Sequence, residues 1–381
     1  MRIETLHTTA AFDTLRDHWL ALETGSTDAS VFATWDWQRI WWTHYGGGRQ
    51  LRLLVARQNR DVLGILPLYL ERSRMGKVWP TTVLRQVGIG GDTAPDDLDP
   101  PIAPGYEREV AAAFADAIVG MSDWRRLHLI DLRPDGALLR ALVVRAAAAR
   151  LDTFHDLPVQ ITYTDLPSTW DAFLAGMSSH GRAAVRRNRR IFLKEPESRF
   201  VRIDGATEID RAFADLARLH RMRWAGRTDQ ASFSSAAYLG FHREVMRALF
   251  QRGRLRLFAL QRDGEPIAMF YGMRMRNTSF YFQSGFDPAW SGLRLGSVMV
   301  AYVIEDAIAE GCTRFDMLRG DYEHKKRFGR SVRTTTGVRL FRSGLAARIY
   351  RILKMRQQDS QARDATPASP PAGVDGTAPE A

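Results

Sequence analysis

With 381 residues, 45% of them hydrophobic and ten of them tryptophan, the chain is long enough for two packed domains and too apolar for a disordered protein. Its single cysteine, Cys312, excludes an internal disulfide and a cysteine-based metal cluster, and no run of about 18 apolar residues reads as a membrane span. The formal charge of +11, carried almost wholly by arginine, favours an anionic partner such as CoA phosphates, a nucleotide-linked sugar, a tRNA or an acidic membrane surface. No apolar leader follows Met1, so the expectation is a cytoplasmic protein without stable membrane insertion.

Residues 1–30 read as a strand and an amphipathic helix, with Phe12, Leu15, Trp19 and Leu22 at helical spacing. Residues 31–45 carry four tryptophans behind Thr34, a suitable N-cap. Two readings stand: a stacking platform for a sugar or base, or an aromatic core helix, with the second favoured and His44 read as a helix-end residue. Leu51–Arg57, a turn at residues 58–61 and Val62–Leu70 form a hairpin. Residues 71–105 read as loop. Within them Gly88–Gly91 lacks the following helix of a phosphate cradle. Asp92, Asp96, Asp97 and Asp99 lack the glycine and terminal glutamate of a calcium loop and read as a solvated acidic rim. A helix over 106–120, a strand over Arg126–Leu132, a helix over 137–150 and a strand over Ile161–Thr164 close a first unit near residue 165.

A second unit begins with a helix capped at Ser168 or Thr169. Six positive residues then fall between Arg182 and Lys194, and helical spacing puts Arg182, Arg186 and Arg190 on one face. That face is either simply solvated or a phosphate-binding surface. An amphipathic helix through Phe213, Leu216 and Leu219 ends at His220-Arg221-Met222-Arg223-Trp224. Leu255–Leu260, the turn at Asp263-Gly264, Pro266–Met275 and Phe280–Gly285 form an antiparallel meander. Its first hairpin matches the one at 51–70 in pattern and turn position, which implies an internal duplication. Asp287-Pro288 stops the third strand, and the loop 289–297 opens a helix over about Val298–Glu310, ended by Gly311. Free N–H groups at such a helix start suit a diphosphate, and Arg294 adds a charge there. The next strand ends in Phe315-Asp316-Met317-Leu318-Arg319-Gly320-Asp321, which Ile130-Asp131-Leu132-Arg133 echoes in the first unit. A strand over Thr334–Phe341 and a basic helix over Ala346–Met355 follow, and the Pro/Ala/Ser-rich tail from Gln357 reads as disordered.

Meander, phosphate-type loop, helix and further strand, in that order, resemble the acetyl-CoA-binding core of GNAT-type acyltransferases. Tyr281–Pro288, the Leu295-Gly296 helix start and Phe315–Asp321 with the downstream Lys325–Gly329 resemble one branch, the bacterial acetyltransferases associated with cellulose and other polysaccharide synthesis, related to Fem-type aminoacyl transferases. The resemblance spans roughly residues 30–345. It implies an α/β (α+β) fold: a tandem pair of GNAT-like domains, each a mixed, mainly antiparallel sheet flanked by helices. The expected limits are 1–165 for a divergent first domain, 166–352 for the acyltransferase domain and 353–381 for the tail.

The implied reaction is acyl-CoA-dependent N- or O-acyl transfer, with acetyl-CoA or another acyl-CoA as co-substrate, no metal, and a saccharide, sugar-nucleotide or other small acceptor. Donor contacts are expected from Gln283, Ser284, Gly292, Arg294, Leu295, Gly296 and Ser297, and acceptor contacts from Arg223, Trp224, Arg319 and Lys325. Asp321 is the first choice of general base and Asp316 the second, with a structural ion pair to Arg319 or Lys325 as the other reading of Asp316. Family members often carry tyrosine where this chain has His324, which leaves Tyr322 and His324 both open as proton donor. Two alternatives remain: a Fem-type transferase using aminoacyl-tRNA, and a non-catalytic module that binds an anionic partner through the arginine face.

Overall fold

The computed structural model describes the chain except residues 27–29, 76–78, 91–92, 94, 225–232, 321–322, 343, 345–346, 349 and 351–381. The first half runs β1 (Arg2–Leu6), α1 (Thr9–Thr14), α2 (Arg16–Gly25), α3 (Trp35–Tyr45), β2 (Gln50–Gln58), β3 (Asp61–Met75), β4 (Trp79–Gln86), α4 (Glu107–Gly120), β5 (Arg126–Leu132), α5 (Ala137–Ala148), β6 (Asp152–His155) and β7 (Val159–Asp165). The second runs α6 (Trp170–Ala175), α7 (Ser179–Lys194), β8 (Arg199–Arg202), α8 (Ile209–Trp224), α9 (Ala236–Gln251), β9 (Leu255–Arg262), β10 (Glu265–Met275), β11 (Thr278–Phe286), α10 (Leu295–Ala309), β12 (Arg314–Arg319), α11 (Glu323–Phe328) and β13 (Ser331–Phe341). Three helices start where a side chain accepts an otherwise orphaned N–H: Thr34, Thr169 and Ser178 cap α3, α6 and α7 through the N–H groups of Trp37, Ala172 and Gly181.

The described strands form one sheet in the order β1-β2-β3-β4-β5-β13-β7-β12-β11-β10-β9-β8, with β6 beside β13. Read inward from either edge, the order is the same: three antiparallel pairs, then one parallel pair, β4/β5 or β11/β12. The fold is therefore a tandem duplication, as the two hairpins imply. The central strands are exchanged between the copies. β13, from the second half, pairs with β5 and β6 of the first, while β7, from the first half, pairs with β12 of the second.

β5 and β12 share a bulge in which two residues oppose one. Leu129 and Leu132 pair with Val338 and Thr336, and Asp316 and Arg319 pair with Tyr163 and Ile161. The second bulged residue has positive φ in both copies, 57° at Asp131 and 56° at Leu318. The equivalence thus runs Leu129–Leu132 to Asp316–Arg319. The sequence echo between the two Asp-containing runs is out of register by two residues, and Asp131 stands at the place of Leu318.

One hydrophobic cluster spans both halves, joining α3 to α9 through Trp37, Trp41 and Phe241 and continuing onto β2, β3, β9 and β10. Separate clusters fill the opposite faces, under α4 and α5 in the first half and under α7 and α10 in the second. Trp37 and Trp41 are fully buried and His44 bonds Glu244 of α9 at 2.9 Å, so the tryptophan helix is core. The expected loop 71–105 contains the rest of β3 and all of β4, and β6 and α9 are further elements that the sequence reading did not name. Three of the four aspartates expected in a solvated rim are not solvated: Asp96 is fully buried, and Asp96, Asp97 and Asp99 pair with Arg319, Arg333 and Arg133; Asp92 lies outside the described residues. Part of the expected helix 346–355 and the tail lie outside the described residues.

Candidate active site

The parallel ladder between β11 and β12 covers only Thr278–Phe280 against Arg314–Asp316. Beyond it β12 bulges and turns to β7. β11 continues with β10 alone, skipping Phe282 in its register. Among the described residues, no backbone hydrogen bond fills the side of Phe282–Phe286 that faces away from β10. The result is a wedge with an unsatisfied strand edge on one wall, open to a ligand that carries amides.

α10 begins beside this wedge. Its N-cap, Arg294, is left-handed (φ 55°, ψ 39°) and makes no side-chain cap, and the N–H groups of Leu295 and Gly296 have no acceptor among the described residues. A Cβ built on Gly292 or Gly296 would meet no atom within 4 Å, so the approach is clear. Ser297 Oγ accepts from Arg327 Nη1 at 3.0 Å. The hydroxyls of Ser284 and Tyr281 are bonded to each other, and Arg223 Nη1 donates to Ser284 Oγ at 3.1 Å. The Arg223 guanidinium also lies over Phe286 (4.9 Å) and Trp224 (5.4 Å). Gln283 and Ser284 on β11 and residues 292–297 at the α10 start are thus adjacent in the chain, with Arg223 and Trp224 brought in from the end of α8. Leu295 is buried, so it offers the site its backbone N–H alone. Tyr281, which the sequence offers only as the start of the Tyr281–Pro288 segment and not as a site residue, joins this group.

The other expected residues lie at the end of β12. Asp316 is buried; its Oδ1 accepts the Leu318 N–H at 2.8 Å and its Oδ2 accepts Arg333 Nη2 and Nε at 2.8 and 3.0 Å. Its partner is therefore Arg333, not Arg319 or Lys325. Arg319 Nε donates to Asp96 at 2.6 Å, and its guanidinium also bonds Asp131. Lys325 Nζ donates to the carbonyls of Leu318 (2.7 Å) and Arg319 (2.6 Å). Arg333 Nη1 reaches Asp97 at 2.7 Å. Burial pushes the carboxyls of Asp97 and Asp131 up to about 6 against the opposing pull of Arg333 and Arg319, and raises Asp96 and Asp99 as well. Asp321 and Tyr322 lie outside the described residues, and His324 lies on α11.

The first copy has the same wedge between β4 and β5, and its own chain fills it. Leu98 N–H donates to Asp131 O at 2.8 Å, and Gln86 binds Leu98 O (2.9 Å) with its amide nitrogen and Ile130 N–H (3.0 Å) with its amide oxygen. Among the described residues, only the second copy keeps its wedge open. Between the halves, on the face of β12 away from α10, lies a polar cavity of about 350 Å³ lined by Asp97, Asp99, Arg133, Asn277, Asp316 and Arg333 among others. Among the described residues no cluster of histidine, cysteine and carboxylates is arranged to hold a metal ion, and no helix is long and apolar enough to cross a membrane.

Residues 179–326 match the family model for an acetyltransferase (GNAT) domain. The match runs from α7 into α11 and so contains the open wedge and the α10 start. The crystal structure of FemX superposes with a TM-score of 0.58 at 13% identity, covering 88% of this chain and 97% of that one. A conserved protein of unknown function from Bacteroides thetaiotaomicron superposes with a TM-score of 0.54 at 11% identity, covering 90% and 100%. At these identities the likeness is one of fold. No curated protein matches the chain. The matched stretch thus lies within the second copy and begins at its arginine-rich helix.

Proposed function

We propose that the protein transfers an acyl group from acyl-CoA, bound in the wedge of the GNAT domain, to an amine or hydroxyl of a saccharide, sugar nucleotide or similar small acceptor. The observation that carries this reading is the open β11 edge beside an uncapped α10 N-terminus. An acyl-CoA brings amides for the first and a diphosphate for the second. In this reading the N–H groups of Leu295 and Gly296, with the Ser297 hydroxyl beside them, Gly292 giving access and Arg294 adding charge, hold the diphosphate. The β11 edge at Gln283 and Ser284 holds the pantetheine arm, and an N–H of that edge stabilises the oxyanion as the carbonyl is attacked.

Asp321 removes the proton of the attacking amine or hydroxyl, the new bond to the carbonyl carbon forms, the C–S bond breaks, and Tyr322 or His324 returns a proton to the thiolate. Arg223 and Trp224 face the acceptor. Arg319, Lys325 and Asp316 keep the end of β12 in place, since their polar atoms are already committed to Asp96, Asp131, backbone carbonyls and Arg333. The polar cavity between the halves favours a hydroxyl-rich acceptor.

Thermal unfolding with acetyl-CoA, longer acyl-CoAs and free CoA tests the donor. Ligand at a hundred times its Kd adds about 2.7 kcal/mol, a shift of roughly 2–4 °C for a chain of this size. Arg294→Ala is expected to shrink that shift. Asp321→Ala is expected to keep the shift and to lose about 10²–10⁴-fold in acyl transfer. No shift with any CoA sinks the donor assignment and leaves aminoacyl-tRNA, or binding without turnover, to be measured next.

A further inference from the structure

α7 carries more unpaired positive charge than any active-site role so far described employs. At about 100° per residue its buried side is formed by Ala184, Val185, Asn188 and Phe192, packed toward α10. The opposite half of the helix surface presents Arg186, Arg187, Arg190 and Lys194, all exposed and none in an ion pair with a described residue. This is unusual in a chain whose arginines are largely paired. Arg189, on the same helix, shows the contrast: it bonds Glu305 at 2.7 Å and lies over Tyr302 (4.0 Å) and Trp170 (5.4 Å). Two large apolar side chains are also exposed there, Leu193 (57%) within the basic arc and Ile191 (39%) at its flank. Beside the arc an open groove of about 510 Å³ runs between α7 and α6, walled by Trp170, Leu174 and Leu193 and rimmed by Arg186, Arg190 and Lys194 against the single carboxylate of Asp171.

We propose that α7 and this groove dock the protein peripherally on an anionic phospholipid surface. The basic arc is complementary to phosphate headgroups, and the exposed Leu193 and Ile191, beside the half-buried Trp170, can enter the headgroup boundary beneath them. A polyanion such as RNA gains nothing from exposed aliphatic side chains between the cations, so the apolar component favours the bilayer. Docking is independent of the donor assignment: the arc lies on the face of α7 away from α10, and the test needs no CoA.

Co-sedimentation with vesicles reads the proposal. The intact protein is expected to bind mixed phosphatidylcholine–phosphatidylglycerol vesicles and not phosphatidylcholine alone, with binding that falls as salt rises. Arg186→Glu with Arg190→Glu should lower the partition coefficient at least about thirtyfold, at roughly fivefold per basic side chain near the surface. Leu193→Ser should lower it several-fold with the charge intact. The matched reversal Arg108→Glu with Arg140→Glu, on exposed positions of α4 and α5, should leave it within about twofold. Equal binding to neutral vesicles, or full binding by the α7 charge variant, overturns the proposal. Displacement of the vesicles by tRNA with no effect of Leu193→Ser overturns it in favour of a nucleic-acid face, and displacement by CoA in favour of a donor contact. Should the double reversal fail to fold, Leu193→Ser and the salt series still decide.

Discussion

Gly285 shows how one residue sets a wall of the wedge. A Cβ there would meet the backbone nitrogen of His220 and lie 2.6 Å from the Leu219 carbonyl carbon, so α8 packs on β11 only because position 285 has no side chain. Gly285→Ala should cost about 1–3 kcal/mol in urea unfolding, since rigid backbone rather than a flexible side chain must yield. Histidines give the second residue-scale expectation. Burial lowers His242 to about 3, and burial with the Arg223 and Arg221 charges lowers His220 to about 4; neither ring nitrogen of His242 has a hydrogen-bond partner. As pH falls below about 6.5 the unfolded chain takes up protons that these folded imidazoles refuse. Stability is then lost at about 1.4 kcal/mol per pH unit per group, until the folded values are reached. Asp97 and Asp131 work the other way, because between about pH 6 and 4 their raised carboxyls bind protons that the unfolded chain does not, so the two effects offset there, and of the two histidines His242 alone goes on losing stability below, to about pH 3. His242→Phe should therefore gain on the wild type by about 1.4 kcal/mol per pH unit from pH 6 to 4, and a flat difference would show that His242 is not held neutral.

At the scale of elements, the loop carrying Asp96–Asp99 closes the first copy's wedge and clamps the strand that ends beside the second. Arg319→Ala leaves Asp96 and Asp131 buried without their guanidinium. A loss of about 3–5 kcal/mol is expected, partly recovered toward pH 4 as the orphaned carboxyls take protons. Chemical denaturation at pH 7 and pH 4.5 checks both parts. The same loop marks where sequence reading stops. The hairpins, the capped helices and the α10 start were legible because turn residues, caps and periodicity act over a few positions. Asp96 and Asp97 read as solvated because their partners, Arg319 and Arg333, stand more than 200 residues away. Pro80 and two threonines interrupt the apolar pattern of β4, so it reads as loop, and a bulge is invisible in one-dimensional spacing, so the Asp131 echo falls out of register. In the wedge, turn and helix-start signals single out residues 283–284 and 292–297, while the ties of Asp316, Arg319 and Lys325 required the fold.

The whole molecule is joined by two exchanged strands and one shared aromatic core, so the halves are duplicates without being separable. Far-UV circular dichroism and tryptophan fluorescence should report one coincident unfolding transition. Residues 1–165 and 166–352 expressed apart should each fail to give a soluble fold, and co-expression should restore it; two independent transitions, or a soluble isolated half, would contradict the exchange. The position of β13 also bears on how the protein is made. The first half cannot close its sheet until residues near 341 have left the ribosome, which at ordinary translation rates is about 10–35 s after residue 165 has been added. During that interval β5 presents a bare edge to its surroundings, so synthesis of this chain should depend on something that shields that edge until its own last strand arrives.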